Sequence, residues 1–293
     1  MESDGGVRGV LLFLSILTAL LFLLNRDVEA LAWMSGGLQQ YQGYVEQSLA
    51  YFVMIGFATF AMKSDGISPS SLGISFRNLV RSLPVLLTLT MGTLIIAELG
   101  GGLAGILRQA GYALLPFTLA NVVFVAFSEE YVFRGYVQNA VMRRHGVYAG
   151  LIVSSLSFAL VHLPSAVGSA SSGSVALATL GLALLGRFSF SILAFSAVYQ
   201  LTGNLIIPVM IHGFYDFTLY YFPASGLTGP YVLLFLIAPC FIAYLSHRAH
   251  APSPYRSTDV PAGWARLVGG ASGQLLKVRP QPKKEGDRPS KAA

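Results

Sequence analysis

The stretch FVAFSEEYVFRGY, residues 124–136, sets two carboxylates and a guanidinium, Glu129, Glu130 and Arg134, in an otherwise apolar and aromatic run. A charged side chain at the centre of a lipid-facing helix costs about 2.5–3.5 kcal/mol even on insertion scales. Two adjacent acids therefore predict a helix that turns them towards protein, a metal or a water-filled cavity. Glu130 and Arg134 are four apart and share a helical face, acid before base, which is the favourable order for an ion pair. Glu129 points about 100° away around the helix, given 3.6 residues per turn. It needs a partner from elsewhere in the fold.

The rest of the chain defines the solvent. Of 293 residues, 54% are hydrophobic and only 11% charged, against about 25% charged in a soluble domain. The composition predicts an all-α, polytopic membrane helical bundle. Apolar runs near the ~20 residues needed to cross a bilayer occur at about 8–24, 46–62, 81–99, 113–142, 147–163, 175–200, 204–222 and 229–247. The expectation is about eight transmembrane helices, the fourth run being long enough that it must bend, tilt or project. A cleavable signal peptide ending near Ala30 is a poorer reading of the first run. Its leader carries Glu2 and Asp4 beside Arg8, and charges crowd the cleavage region. The single cysteine, Cys240, excludes an internal disulfide and reads as packing. No phosphate-binding loop or dinucleotide fingerprint is present.

Charge sets the expected orientation. Residues 248–293 hold nine Lys/Arg against three acids and carry the whole net charge of +6. This stretch is rich in Pro, Gly and Ser and reads as a disordered basic tail following a transmembrane domain at 1–247. A tail touching anionic lipid is preferred here over nucleic-acid binding. With eight spans and both termini inside, the cytoplasmic regions collect fifteen Lys/Arg and the outer loops only Arg26 and Arg108. The asymmetry predicts cytoplasmic N- and C-termini, in a cell membrane expected to be a bacterial inner one.

Two further polar insertions lie on apolar runs. His162 ends SFALVH, with Phe158 one turn before it; His212 and Asp216, four apart in HGFYD, share a face. Intramembrane ionisable groups mark functional sites by default. Two chemistries suit Glu, His, His and Asp in one pocket. In the first, Glu129, His162, His212 and Asp216 supply the ligands and base of a zinc site that lowers the pKa of bound water to about 7. In the second, Glu129 and His162 polarise water directly while His212 and Asp216 stabilise an oxyanion. A serine or cysteine nucleophile is disfavoured, because no nucleophile elbow is present. Arg187, in LLGRFSF, is left over. It can neutralise Glu98 or Asp216, snorkel, or capture a substrate carboxylate.

EEYVFR, FALVH and HGFYD, in this order and spacing, resemble the EExxxR, FxxxH and HxxxN/D motifs of the CAAX-protease and bacteriocin-processing (CPBP) family of intramembrane proteases. FRGY after the acids and TGNLIIPVMIH before the second histidine extend the likeness, which covers about residues 112–220. The resemblance implies an all-helical membrane fold and an endopeptidase cutting near the C-terminus of membrane-associated proteins or peptides. It implies Glu129 as the water-activating base and His162 as its partner on that water or on a metal. His212 and Asp216 would be metal ligands or the oxyanion site, with Glu130 and Arg134 in support. Prenyl-protein members commonly carry Asn where this chain has Asp216. A carboxylate there favours cation binding, hence zinc, and argues against a prenylated substrate. A proton- or ion-coupled transporter, and an idle immunity or scaffold protein of the same fold, are the competing readings. No inverted repeat supports the first, and the complete polar set argues against the second.

Overall fold

The computed structural model describes residues 9–10, 12–16, 42–99, 124–163, 174–221, 237–238, 240–242 and 245. The basic tail and most of the first and last apolar runs lie outside them. Every regular element among the described residues is helical, in keeping with the all-α expectation. Helix α1 spans Gln42–Ser64, a short 3-10 turn Pro69–Leu72, α2 Phe76–Arg81 and α3 Leu83–Leu99. A continuous helical run, α4, joins Phe127–Glu130, a π-helical segment Tyr131–Gln138 and Asn139–His145. Helix α5 is Val147–Val161. Helix α6 joins Ser174–Phe190, a second π segment Ser191–Ser196 and Ala197–Thr202, and α7 is Ile206–Tyr221.

Helix α4 is the hub: α1, α5, α6 and α7 all pack on it, while α3 packs on α7. The hub is buried from Glu130 to Met142. Val132, Phe133, Arg134, Val137 and Gln138 are all within 1% of full burial. Its junction with α5 is tight because Gly150 has no side chain. A Cβ there would lie 2.9 Å from the Gln138 carbonyl oxygen and would collide with Met142.

The helices are apolar outside and polar inside. On α5 the outward stripe Tyr148, Ile152, Leu156, Leu160 recurs every four residues with each side chain about half exposed, and α6 exposes Leu177, Leu182, Leu185 and Leu193. The inward side of α5 carries serines. Ser154 Oγ donates to the Phe133 carbonyl at 2.8 Å, and Ser155 and Ser196 hydroxyls pair at 2.9 Å. Small polar contacts between helices with aliphatic residues turned outward suit a hydrocarbon solvent.

Among the described helices one, Leu177–Thr202, is by itself long and apolar enough to cross a bilayer. Pro69–Arg81 and Leu83–Leu99 pass that test only as a pair bent by 69°. Leu49–Ser64, Val147–Val161 and Ile206–Leu219 are apolar but shorter. The described helices thus supply one such span, or two with the bent pair, where the sequence predicts eight. Much of the first, fourth and eighth apolar runs lies outside the described residues.

The bend between α2 and α3 is fastened to the start of α7. Ser75 caps α2 by accepting from Asn78 N–H at 3.2 Å. Asn204, fully buried, donates through Nδ2 to Ser82 Oγ at 2.9 Å and accepts at Oδ1 from Ile206 N–H at 3.1 Å. Leu205 N–H donates to the Leu72 carbonyl at 3.1 Å. The close approach requires glycine at 73, which has φ 74° and faces the Gly203 carbonyl so closely that a Cβ would overlap it. Gly73→Ala is expected to lower unfolding stability by about 1–3 kcal/mol, read as a fall in melting temperature of the detergent-purified protein.

Candidate active site

The site is built on the buried pair Glu130 and Arg134. Arg134 Nη1 donates to Glu130 Oε1 at 3.1 Å, with neither side chain exposed. The guanidinium lies against two aromatic rings, 4.9 Å from the centroid of Phe158 on α5 and 4.9 Å from that of Phe195 on α6. Its Nη2 donates to the Ser191 carbonyl at 3.3 Å and to the Ser191 hydroxyl. Ser191 opens the π segment of α6, and a π turn displaces carbonyls from the usual i+4 bond. At the far end of both π segments, Gln138 Nε2 donates to the Ser196 carbonyl at 3.2 Å. The two wide turns are therefore tied together at two points, by Arg134 and by Gln138.

Glu130 has a second partner that spacing along the helix does not reveal. His212 Nδ1 lies 2.8 Å from Glu130 Oε1. A carboxylate only accepts, so Nδ1 carries the hydrogen and Nε2 faces the other way. The ring stacks on Phe195 at 4.8 Å and 21°, and Phe158 meets it edge-on at 5.6 Å. From this pose His212 Nε2 lies 3.4 Å from Asp216 Oδ2 and 3.7 Å from Glu129 Oε2. The adjacent glutamates thus address opposite nitrogens of one imidazole.

His162 approaches Glu129 from α5. Its Nδ1 is 2.8 Å from the Phe158 carbonyl one turn earlier, so Nδ1–H donates there and Nε2 is turned to Glu129 Oε2, 3.7 Å away. Both histidines aim Nε2 at a single oxygen. That oxygen, Glu129 Oε2, is buried and has no hydrogen-bond partner among the described residues. The cluster is graded in depth. Glu130 and Arg134 are fully buried and the Glu129 side chain is 12% exposed, while His162 and Asp216 reach 28%. One side of the cluster is open.

The structure places Glu129, Glu130, Arg134, Phe158, His162, His212 and Asp216 in one cluster. Arg187 stands at its edge, with Nη1 donating to the His162 backbone carbonyl at 2.9 Å. Sequence reasoning missed Ser191 and Phe195. Both sit in an apolar run with no charge to draw attention, and their role appears only when α6 is packed on α4. Among the described residues no group of three His, Cys, Asp or Glu side chains is arranged to hold a metal ion.

One comparison bears on the chain. Residues 111–218 match the family model of type II CAAX prenyl endopeptidases, Rce1-like. That family is one of membrane-embedded proteases, and the matched range contains all eight of the residues singled out from the sequence. Searches of curated proteins and of solved structures return no match.

The two glutamates are expected to respond oppositely to substitution. Removing one partner of a buried ion pair costs about 3–5 kcal/mol, so Arg134→Ala and Glu130→Ala should unfold far more easily than wild type. Glu129→Gln removes a buried carboxylate lying beside two others and should leave the melting temperature unchanged or raise it. Thermal unfolding of the three variants in one detergent checks the contrast.

Proposed function

We propose that this protein is an intramembrane endopeptidase that hydrolyses a peptide bond near the C-terminus of a membrane-associated protein or peptide. The observation that carries the reading is the convergence of two imidazole Nε2 atoms on the unpartnered Oε2 of Glu129. Separations of 3.7 Å are too long for direct hydrogen bonds. They are short enough for a water above the three atoms to reach each at about 2.8 Å.

Glu129 takes a proton from that water as its oxygen attacks the scissile carbonyl carbon. His162 Nε2 holds the water in line. The carbonyl π electrons move to oxygen, and the oxyanion lies towards His212 Nε2, which Asp216 flanks, on the open side. With both ring nitrogens protonated, His212 keeps Nδ1–H on Glu130 and offers Nε2–H to the oxyanion. When the tetrahedral carbon collapses, the C–N bond breaks and Glu129 returns its proton to the leaving amine. Glu130 and Arg134 touch no reacting atom; they fix the angle of His212. No step runs through a metal. Asp216 gives the pocket mouth a negative charge, which suits an unprenylated chain better than the prenylated proteins after which the matched family is named. The fifteen-to-two asymmetry of Lys/Arg supports a multi-pass topology with both termini cytoplasmic.

The test is cleavage in proteoliposomes, with membrane-anchored peptides offered in prenylated and unprenylated forms. Wild type should cut. Glu129→Gln, which lacks the base, should lose on the order of 10²–10⁴-fold in rate while remaining folded. Chelator should leave the wild-type rate unchanged. Full activity in Glu129→Gln sinks the mechanism, and ion or proton flux without cleavage supports a transporter instead. Activity abolished by chelator and restored by zinc overturns the metal-independent step alone.

A further inference from the structure

Arg187 is the one candidate site residue that stands outside the proposed reaction. It lies on α6, within the helix Leu177–Thr202 that is long and apolar enough to cross a bilayer, where a guanidinium is costly without polar partners. Its Nη1 donates at 2.9 Å to the backbone carbonyl of His162, 25 residues away in sequence.

That carbonyl has a particular position. Helix α5 ends at Val161, and His162 is its C-cap, with φ −89° and ψ 1°. The last carbonyls of a helix lack intrahelical donors, and a cation in the last turn is favoured by the helix dipole. Arg187 supplies both a donor and a charge to the helix end that carries a site histidine. The His162 ring is held from its other side, because Nδ1 donates to the Phe158 carbonyl at 2.8 Å. Its Nε2 then faces Glu129 Oε2 at 3.7 Å. The same segment is thus held at two points, the ring by its own helix and the backbone by a neighbouring one.

We infer that Arg187 is a positioning residue: it clamps the C-terminal end of α5 to α6 and so sets the place of His162 Nε2 over Glu129. The inference rests on the endopeptidase reading for its effect on rate, but not for the clamp itself. It replaces the carboxylate-capture role that the residue type alone suggested. A guanidinium bonded to the backbone beside a site histidine acts on every substrate alike, whatever its C-terminus.

The experiment compares wild type, Arg187→Ala and Arg187→Lys, each as the full chain in nanodiscs. Amide hydrogen exchange is followed by mass spectrometry across 158–163 and 206–219. In Arg187→Ala, exchange across 158–163 should rise severalfold with 206–219 unchanged, and Arg187→Lys should restore part of the protection. Unchanged exchange at 158–163 overturns the clamp. This arm needs no substrate, so it stands or falls separately from the proteolytic reading. The second arm measures cleavage of one anchored peptide with a free C-terminal carboxylate and of its carboxamide twin. For Arg187→Ala, kcat should fall about tenfold on both with KM little changed, since small displacements of a catalytic group are costly in rate. A loss confined to the carboxylate peptide and expressed in KM overturns the inference in favour of substrate capture.

Discussion

A guanidinium buried without exposure holds this structure together. Arg134 bonds Glu130 on its own helix and Ser191 on α6, and its guanidinium lies against the rings of Phe158 on α5 and Phe195 on α6. Through Glu130 it reaches His212 of α7. Four helices therefore meet at one cation. In a low-dielectric interior such a charge needs a close counter-ion; Nη1 and Nη2 are hydrogen-bonded, while Nε has no hydrogen-bond partner among the described residues. Cation–π contacts on desolvated rings contribute about 2 kcal/mol or more in favourable cases. The packing of α4, α5, α6 and α7 is constrained to satisfy this one group, and the open side of the polar cluster is what the arrangement leaves over.

This constraint explains why two neighbouring acids behave differently. Glu130 accepts from Arg134 and His212 together, so its charge is compensated from two directions. Glu129 has imidazole nitrogens only at 3.7 Å. Each glutamate keeps one buried oxygen, Oε2, with no hydrogen-bond partner among the described residues, and such an atom is destabilising. What distinguishes Glu129 is that its Oε2 faces two imidazoles on the more exposed side of the cluster. In the proposed mechanism, stability and reactivity are thus divided between adjacent residues of a single turn.

Much of this was legible in the sequence. Four-residue spacing announced the Glu130–Arg134 pair and set His212 and Asp216 on one face. A second acid with no partner in its own turn implied a ligand from another helix. Three features were not legible. The first is the bond from His212 Nδ1 to Glu130, since Asp216 is the nearer candidate along the chain yet lies on the Nε2 side. The others are the Ser191 and Phe195 contacts and the bond from Arg187 to the His162 carbonyl. Each depends on how two helices sit against one another, and a 3.6-residue period carries no such information. It is also the wrong period for Tyr131–Gln138 and Ser191–Ser196, which wind more loosely.

Those two loosely wound segments face each other and are laced together by Arg134 and Gln138. A π turn holds about one residue more than an α turn and has a larger radius. Space around the polar cluster is thus created by the main chain itself as well as by small side chains. Such space is insensitive to most side-chain replacements but acutely sensitive to chain length. Deleting a single residue within 131–138 would return that turn to ordinary winding, leaving the helix beyond it nearly in place but closing the wide turn and moving Arg134 relative to Ser191. The guanidinium and the acids would then no longer meet the same neighbours. In this architecture the insertion or loss of one amino acid is the more drastic mutation, and exchange of one for another the milder.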